Sequence, residues 1–160
     1  MGADHGRELA YLLSRGAPST PDRDTLDRWG RAVGAALERP AVVTLEGDLG
    51  AGKTTLARAL SAGLGVVDLR AVTSPTFSLV QQYAAPAGAV VHVDLYRLRS
   101  DAELEALGWD ELVATSSVLL VEWPERALAT LPAYTIRITL AHDNADPARR
   151  RLKVIAPVLP

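Results

Sequence analysis

The stretch Gly47-Asp48-Leu49-Gly50-Ala51-Gly52-Lys53-Thr54 is the strongest indication of fold and ligand in this sequence. Its glycines, lysine and hydroxyl have the spacing of a P-loop, in which backbone amides wrap the phosphates of a nucleotide. The glycines leave no Cβ in the way of a polyphosphate, and a helix that follows offers the positive end of its dipole. The pattern predicts that Lys53 reaches the β- and γ-phosphates, that Thr54 gives a hydroxyl to Mg²⁺, and that Thr55 contacts a neighbouring phosphate oxygen.

The segments on either side of this stretch strengthen the prediction. Residues 41–46 form a short apolar, β-branched run that is typical of a buried strand, and residues 56–60 are typical of a helix that Gly63 and Gly65 could end. Strand, glycine-rich loop and helix therefore occur in the order that a P-loop needs. The alternative is a glycine-rich turn that binds nothing, and this context disfavours it.

Composition bounds the domain organisation and the compartment. The chain has 160 residues and is 48% hydrophobic, which suits a single domain over residues 1–160 with a substantial core. Residues 1–18 are expected to be a peripheral N-terminal extension, in which Leu9–Leu13 forms an edge strand or a helix. No apolar run reaches about 18 residues, no secretory signal is visible, and cysteine is absent. We therefore expect a soluble, cytoplasmic protein without disulfides or sulfur-ligated zinc.

The charge balance argues against direct binding of nucleic acid. The net charge is −2, whereas proteins that hold nucleic acid by themselves are usually basic. Arg149, Arg150 and Arg151 form the only dense basic run. Such a run is more often a solvated face or a strand edge than a binding site, so it is a docking candidate only. Any contact with RNA is expected to need partner proteins.

Hydrophobic periodicity predicts an α/β fold. Ser19-Thr20-Pro21-Asp22 is typical of a helix start with a capping hydroxyl and proline at the first helical position, and Pro40 would stop that helix. Residues 72–76 are predicted to be a loop. A further helix is predicted over residues 102–113, and strands over residues 77–83, 89–93, 118–121, 134–140 and 152–158. The expected architecture is a P-loop NTPase-like three-layer sandwich, with a mixed, mostly parallel sheet flanked by helices.

Carboxylates at two predicted strand ends are candidates for metal binding and hydrolysis. Asp94 and Glu122 each follow an apolar run, which carries them to the edge where open α/β sheets bind ligands. Spacing alone does not tell which of them lies beside the P-loop strand, nor which orients the attacking water. Ser74 and Thr76 add hydroxyls on a loop suited to sensing a γ-phosphate. Arg97 could neutralise phosphate charge or pair with an acid.

Other residue types narrow the nucleotide and the metal. Proteins that bind guanine usually read the base with an Asn/Thr-Lys-x-Asp segment, and the two lysines, Lys53 and Lys153, leave no place for one. ATP is therefore preferred over GTP. His5, His92 and His142 are too scattered to suggest a metal site, and His92 is expected to be a hydrogen-bonded structural residue.

Four segments together resemble the TsaE family, formerly YjeE, of small bacterial P-loop ATPases that act in making threonylcarbamoyladenosine in tRNA. The segments are the glycine-rich loop at residues 47–55, Ser74-Pro75-Thr76-Phe77, His92-Val93-Asp94-Leu95-Tyr96-Arg97-Leu98, and Val121-Glu122-Trp123. They occur in the family's order, and the resemblance covers roughly residues 20 to 155. The N-terminus is longer than is usual for the family and differs from its opening strand.

The resemblance implies binding of ATP or ADP with Mg²⁺. Lys53 would lie on the phosphates, Thr54 and Glu122 would be associated with the metal, and Asp94 would be needed for a slow hydrolysis. The catalytic residues expected are Lys53, Asp94 and Glu122. The nucleotide-binding residues expected are Asp48, Leu49, Gly50, Ala51, Gly52, Lys53, Thr54, Thr55, Ser74, Thr76, Trp123 and Thr25, the last as a contact to adenine.

The resemblance also implies partners. Members of the family work with TsaD, which transfers the threonylcarbamoyl group from threonylcarbamoyl-AMP, and with TsaB, its non-catalytic relative. Hydrolysis there resets the complex between turnovers. Two alternatives stay open at this point: a small-molecule kinase with the same phosphate loop, and an assembly module that needs the nucleotide but whose hydrolysis is incidental.

Overall fold

The computed structural model of the protein describes residues 2–75 and 77–157, and for residues 2–4 only the backbone. No helix in this part of the chain is long and apolar enough to cross a membrane. The helices are α1 (Gly2–Leu13), α2 (Arg23–Ala36), α3 (Lys53–Gly63), α4 (Asp101–Ala106) and α5 (Trp109–Thr115). The strands are β1 (Ala41–Glu46), β2 (Val80–Tyr83), β3 (Val90–Asp94), β4 (Val118–Glu122), β5 (Ile136–His142) and β6 (Arg150–Ile155).

The six strands form one mixed sheet in the order β2-β3-β4-β1-β5-β6. The four central strands are parallel, and β2 and β6 pair antiparallel at the two edges. Alternate residues of the central strands enter two hydrophobic clusters on opposite faces, for example Val43 in one and Val42 in the other. Helices α1, α2 and α3 cover the first face, and α4 and α5 cover the second. The predicted three-layer α/β architecture is confirmed.

Glycines let α2 and α3 approach closely on the first face. A Cβ on Gly34 would collide with the backbone oxygen of Leu60, and one on Gly30 would lie 2.7 Å from the Cβ of Ala59. The α2 helix is thereby held against α3, whose first turn follows the glycine-rich loop. The packing of α2 therefore contributes to the position of that loop.

Several predicted boundaries were wrong. Helix α2 begins at Arg23 and is capped by Asp22, whose carboxylate accepts from the Thr25 amide at 2.8 Å, so Pro21 precedes the helix instead of opening it. The predicted helix over 102–113 is two helices, because Gly108 takes a left-handed conformation (φ 76°) between them. Strand β2 begins at Val80, after a turn at 77–79, and the final strand begins at Arg150. Leu9–Leu13 lies in a helix.

The sheet order decides which strand end lies beside the glycine-rich loop. Strand β4 pairs directly with β1, and Leu45 at the end of β1 is in register with Glu122. On the other side of β4, Glu122 is in register with Asp94. The carboxyl ends of β1, β3 and β4 therefore bring both predicted carboxylates to the edge from which the glycine-rich loop leaves the sheet.

Candidate functional site

The glycine-rich loop (residues 47–52) connects β1 to α3 and depends on close backbone contacts. Gly47 leaves the strand beside β5, and a Cβ there would collide with the backbone oxygen of Leu140. Inside the loop, the Ala51 amide donates to the Asp48 carbonyl at 3.1 Å. Gly52 caps α3 in a left-handed conformation (φ 104°) that favours glycine. The glycines are thus required by this geometry.

Backbone donors gather where the loop enters α3. The first hydrogen bond of this helix runs from the Leu56 amide to the Gly52 carbonyl at 2.9 Å. The amides of Lys53, Thr54 and Thr55 precede that bond and have no carbonyl of the helix to bind. Together with the positive end of the helix dipole, they form an anion-binding arrangement.

Lys53 is buried at the base of the loop, with 6% of its surface exposed. Its Nζ donates to the carbonyls of Gly47 at 2.6 Å and Asp48 at 2.8 Å, and it lies 4.2 Å from the ring centre of Trp123. Burial lowers the pKa of Lys53, and the negative charges of Glu122 and Asp94 oppose this shift. The lysine is held bent against its own loop, and an anion arriving there would gain a desolvated ammonium donor.

The two strand-end carboxylates have different partners. Glu122 is 1% exposed, and its Oε1 accepts from the Thr54 hydroxyl at 2.9 Å. Asp94 is 3% exposed; its Oδ2 accepts from the Ser74 hydroxyl at 2.8 Å and its Oδ1 from the Tyr96 amide at 2.9 Å. Glu122 is therefore tied to the helix after the loop, whereas Asp94 is tied to the 72–76 segment. Thr76 itself lies outside the described residues.

Trp123 closes one side of the site in a strained conformation. Its φ and ψ of 56° and 57° are left-handed, which is rare for a bulky residue and is often found at functional sites. The ring packs 4.8 Å from that of Tyr96 and lies over Lys53. A cleft of about 430 Å³ opens in front of it, lined by Leu49, Gly50, Gly52, Lys53, Thr54, Thr55, Ser74, Asp94, Tyr96, Glu122 and Trp123. Ten of the predicted site residues are thus brought together.

A second cleft of about 420 Å³ also borders the loop. Gly50, Gly52 and Thr55 line both clefts. Its other walls are Asp22, Arg23, Leu26, Ala51, Pro147, Ala148 and Arg150. Thr25, the predicted adenine contact, is not among the described residues that line either cleft; its amide caps α2 through Asp22.

The basic run of residues 149–151 has structural partners. Arg149 donates to the Thr20 carbonyl at 2.9 Å, and Arg151 donates to the His142 carbonyl at 3.4 Å. Arg150 donates to the carbonyls of Ala51 at 3.1 Å and Gly50 at 3.4 Å. This run therefore braces the edge of the sheet and the outside of the glycine-rich loop.

Sequence reasoning missed some residues of the site. Tyr96 lines the first cleft against Trp123, and Arg150 holds the loop from behind. Tyr96 stands between Asp94 and Arg97 in a segment already singled out, and that neighbourhood was the available signal. Arg97 lies 4.4 Å above the Phe77 ring and is not among the described residues that line the first cleft. No sequence signal linked Arg150 to the loop, because 98 residues separate it from Gly52.

Comparisons with known proteins agree on one family. The family model described as "Threonylcarbamoyl adenosine biosynthesis protein TsaE" matches residues 20–152. The tRNA threonylcarbamoyladenosine biosynthesis protein TsaE of Treponema pallidum is 42% identical over 113 residues, covering 71% of this chain and 82% of that protein. Its counterpart in Haemophilus influenzae is 38% identical over 134 residues, covering 81% and 82%. The crystal structure of Bacillus subtilis YdiB aligns with a TM-score of 0.65 at 28% identity, covering 85% of this chain and 81% of that one.

Proposed function

The chain belongs to the TsaE family, which takes part in tRNA threonylcarbamoyladenosine biosynthesis, and from this premise we propose that it binds ATP with Mg²⁺ and hydrolyses it slowly in support of that modification. One observation carries the proposal: unpaired amides at the start of α3, the buried ammonium of Lys53 and the Thr54–Glu122 pair face one cleft. An anion with a bound divalent cation matches this combination.

The donor set fits Mg²⁺. Thr54 and Glu122 present a hydroxyl and a carboxylate 2.9 Å apart, and oxygen is the ligand that Mg²⁺ prefers. The described residues contain no group of three or more His, Cys, Asp or Glu side chains placed to hold a metal ion. Mg²⁺ at nucleotide sites is usually bound through one or two side chains, with phosphate and water completing its shell. When bound, the metal would neutralise charge on the phosphate oxygens.

The chain's own residues would then bind and orient the reactants. The amides at the start of α3 and Lys53 would hold the β- and γ-phosphates, with Lys53 leaving the carbonyls of Gly47 and Asp48 to reach them. Asp94, buried at the end of β3, would orient the attacking water, while Ser74 couples it to the neighbouring loop. The nucleoside would extend toward the second cleft, which shares Gly50, Gly52 and Thr55 with the first as lining residues.

Exposed apolar side chains beside the cleft suit partner proteins. Leu49 is 64% exposed, Phe77 86% and Tyr96 48%, and all three lie on the loops that surround the predicted phosphates. We propose that TsaD and TsaB contact this rim and thereby sense the nucleotide. With a net charge of −2, contact with tRNA would be through the complex.

The arginine contacts argue against the kinase alternative. A small-molecule kinase needs an arginine-bearing lid over its phosphates. Within the described residues, Arg149, Arg150 and Arg151 each bind backbone carbonyls, and Arg97 stacks on Phe77.

Reconstitution tests the proposal. The protein is mixed with TsaD, TsaB, threonylcarbamoyl-AMP and unmodified tRNA, and the product formed per complex is counted with and without ATP. Asp94→Asn and Glu122→Gln should bind ATP yet stop near one turnover, whereas the exposed control Glu105→Gln should behave as wild type. Wild-type turnover by both carboxylate variants would contradict the assigned roles and favour an assembly module with incidental hydrolysis.

A further inference from the structure

A chain of hydrogen bonds runs through the interior from the edge strand to the cleft. The Tyr83 phenol oxygen lies 3.2 Å from Nδ1 of His92, and Nε2 of His92 lies 3.1 Å from Oε2 of Glu122. The second carboxylate oxygen, Oε1, accepts from the Thr54 hydroxyl. Gln81 lies at the outer end, with its Oε1 2.7 Å from the phenol oxygen. Strands β2, β3 and β4 and helix α3 are thus joined through polar side chains.

The central members of this chain of hydrogen bonds are closed to solvent. His92 is fully buried, Glu122 is 1% exposed and Tyr83 is 6% exposed. Strand register explains how they meet, because His92 is opposite Leu120 and Asp94 is opposite Glu122, so His92 and Glu122 are diagonal neighbours on one face. In such surroundings an unpaired polar atom costs free energy, so each hydrogen position along the chain is constrained.

The hydrogen-bond donors and acceptors around His92 indicate which of its ring nitrogens carries hydrogen. An ionised Glu122 can only accept, and its Oε1 already accepts from Thr54, so the atom facing its Oε2 must carry hydrogen. In a neutral imidazole, Nδ1 is then an acceptor, and it takes the single hydrogen of the Tyr83 phenol, which otherwise goes to Oε1 of Gln81. Burial, with the charge of Glu122, raises the pKa of Tyr83 to about 12, so that phenol keeps its proton. Turning the Gln81 amide presents its NH₂ group to the phenol oxygen.

We propose that His92 is a positioning residue that donates from Nε2 to Oε2 of Glu122 and so holds Oε1 toward Thr54, ready for the divalent cation of a bound nucleotide. This inference rests on the proposed function only in taking a divalent cation to bind beside Glu122; the hydrogen bond from His92 to Glu122 does not depend on that function. Without the Nε2 donor, the carboxylate would be free to turn toward the ammonium of Lys53, with which it already interacts electrostatically. His92 would thus stabilise the Thr54–Glu122 pair without touching the nucleotide.

Two substitutions of His92 separate positioning from packing. In His92→Gln the side-chain amide reaches the place of Nε2 and can still donate to Glu122, whereas in His92→Asn it reaches only the place of Nδ1. Calorimetric titration with ADP, with and without Mg²⁺, gives the gain in affinity that the metal provides. We expect the metal-dependent gain of His92→Gln to stay within about threefold of the wild-type gain. In His92→Asn the gain should be about tenfold smaller than in wild type. The affinity for metal-free ADP should be unchanged in both variants. An equal metal-dependent gain in the two variants would overturn the proposal.

A second measurement needs no substitution of His92 and no nucleotide. Long-range ¹⁵N–¹H correlation spectra of the wild-type protein report which ring nitrogen of His92 carries hydrogen, and Tyr83→Phe identifies the Nδ1 signal by shifting it. A protonated Nε2 supports the proposal, and a bare Nε2 overturns it even if the variants fail to fold. If wild-type protein bound no nucleotide with Mg²⁺, the proposed function would fail, whereas this spectrum would still decide the hydrogen bond to Glu122.

Discussion

Arg150 holds the glycine-rich loop from the side of the second cleft, and its removal is a sharp test of how that loop is organised. Its guanidinium donates to the Ala51 carbonyl at 3.1 Å and to the Gly50 carbonyl at 3.4 Å. The Ala51 carbonyl belongs to the same planar peptide as the Gly52 amide, and in a trans peptide these two groups point in opposite directions. Arg150 therefore turns the Gly52 amide away from itself, and Gly52 lines the first cleft.

The size of the effect follows from these two contacts. A hydrogen bond from a charged donor contributes about 1.5–3 kcal/mol, and the 3.4 Å contact is long enough to be weak. We take about 2 kcal/mol for the pair, since Arg150 is also partly exposed. If Arg150→Met loosens the loop, nucleotide binding must supply that free energy, which corresponds to a loss of affinity of about 30-fold.

Arg149→Met is the matched control, because Arg149 binds the Thr20 carbonyl and Asp146 instead of the loop. Calorimetric titration of both variants with Mg²⁺ and ADP should show about 30-fold weaker binding for Arg150→Met and less than about twofold for Arg149→Met. Hydrogen exchange at the loop amides should rise only in Arg150→Met. Equal losses in the two variants, or wild-type affinity in Arg150→Met, would refute the reasoning.

Three further predictions concern stability, each measured by denaturant unfolding. Because burial lowers the pKa of Lys53, the unfolded chain holds that proton more tightly than the folded chain, and wild type should gain stability relative to Lys53→Met as the pH rises from 7 toward 10.5; a difference that stays constant or moves the other way would contradict this. Above pH 10 the unfolded chain ionises Tyr83 before the folded chain does, so wild type should lose about 2 kcal/mol relative to Tyr83→Phe by pH 12, and a constant difference would count against the burial of the phenol. Gly34→Ala should lower the free energy of unfolding by about 3 kcal/mol or more, because the new Cβ meets the Leu60 backbone. The control Ala35→Gly, at an exposed neighbouring position, should lower it by only about 1 kcal/mol. Equal effects would contradict the close packing of α2 on α3.

The features predicted well from sequence are those set by local patterns. The apolar run at 41–46 and the glycines at 47, 50 and 52 predicted strand, loop and helix in their observed order, because burial and backbone conformation act over a few residues. Boundaries failed where one residue overrode a periodic pattern. Gly108 divides a segment whose leucines continue the helical spacing, and the carboxylate of Asp22 caps α2 in place of the expected hydroxyl.

The arrangement of the site depends on the order of the strands in the sheet. That Glu122, rather than Asp94, lies beside the end of β1 depends on β4 pairing with both β1 and β3, and sequence spacing does not encode strand order. The same holds for His92, which could be predicted as a hydrogen-bonded residue but not as the partner of Glu122 across 30 residues. Arg150 reaches the loop only because β6 returns along the edge of the sheet.

The central claim is that the first turn of α3, Lys53 and the Thr54–Glu122 pair together bind a nucleotide with its metal. Titration of the purified protein with ATP, with Mg²⁺ and then with chelator, tests this most directly, both alone and with TsaD and TsaB present. ATP should bind saturably, and its affinity should weaken when the metal is removed and fall about 100-fold or more in Lys53→Met. Absence of any Mg²⁺-dependent affinity for adenine nucleotides in both settings would contradict it.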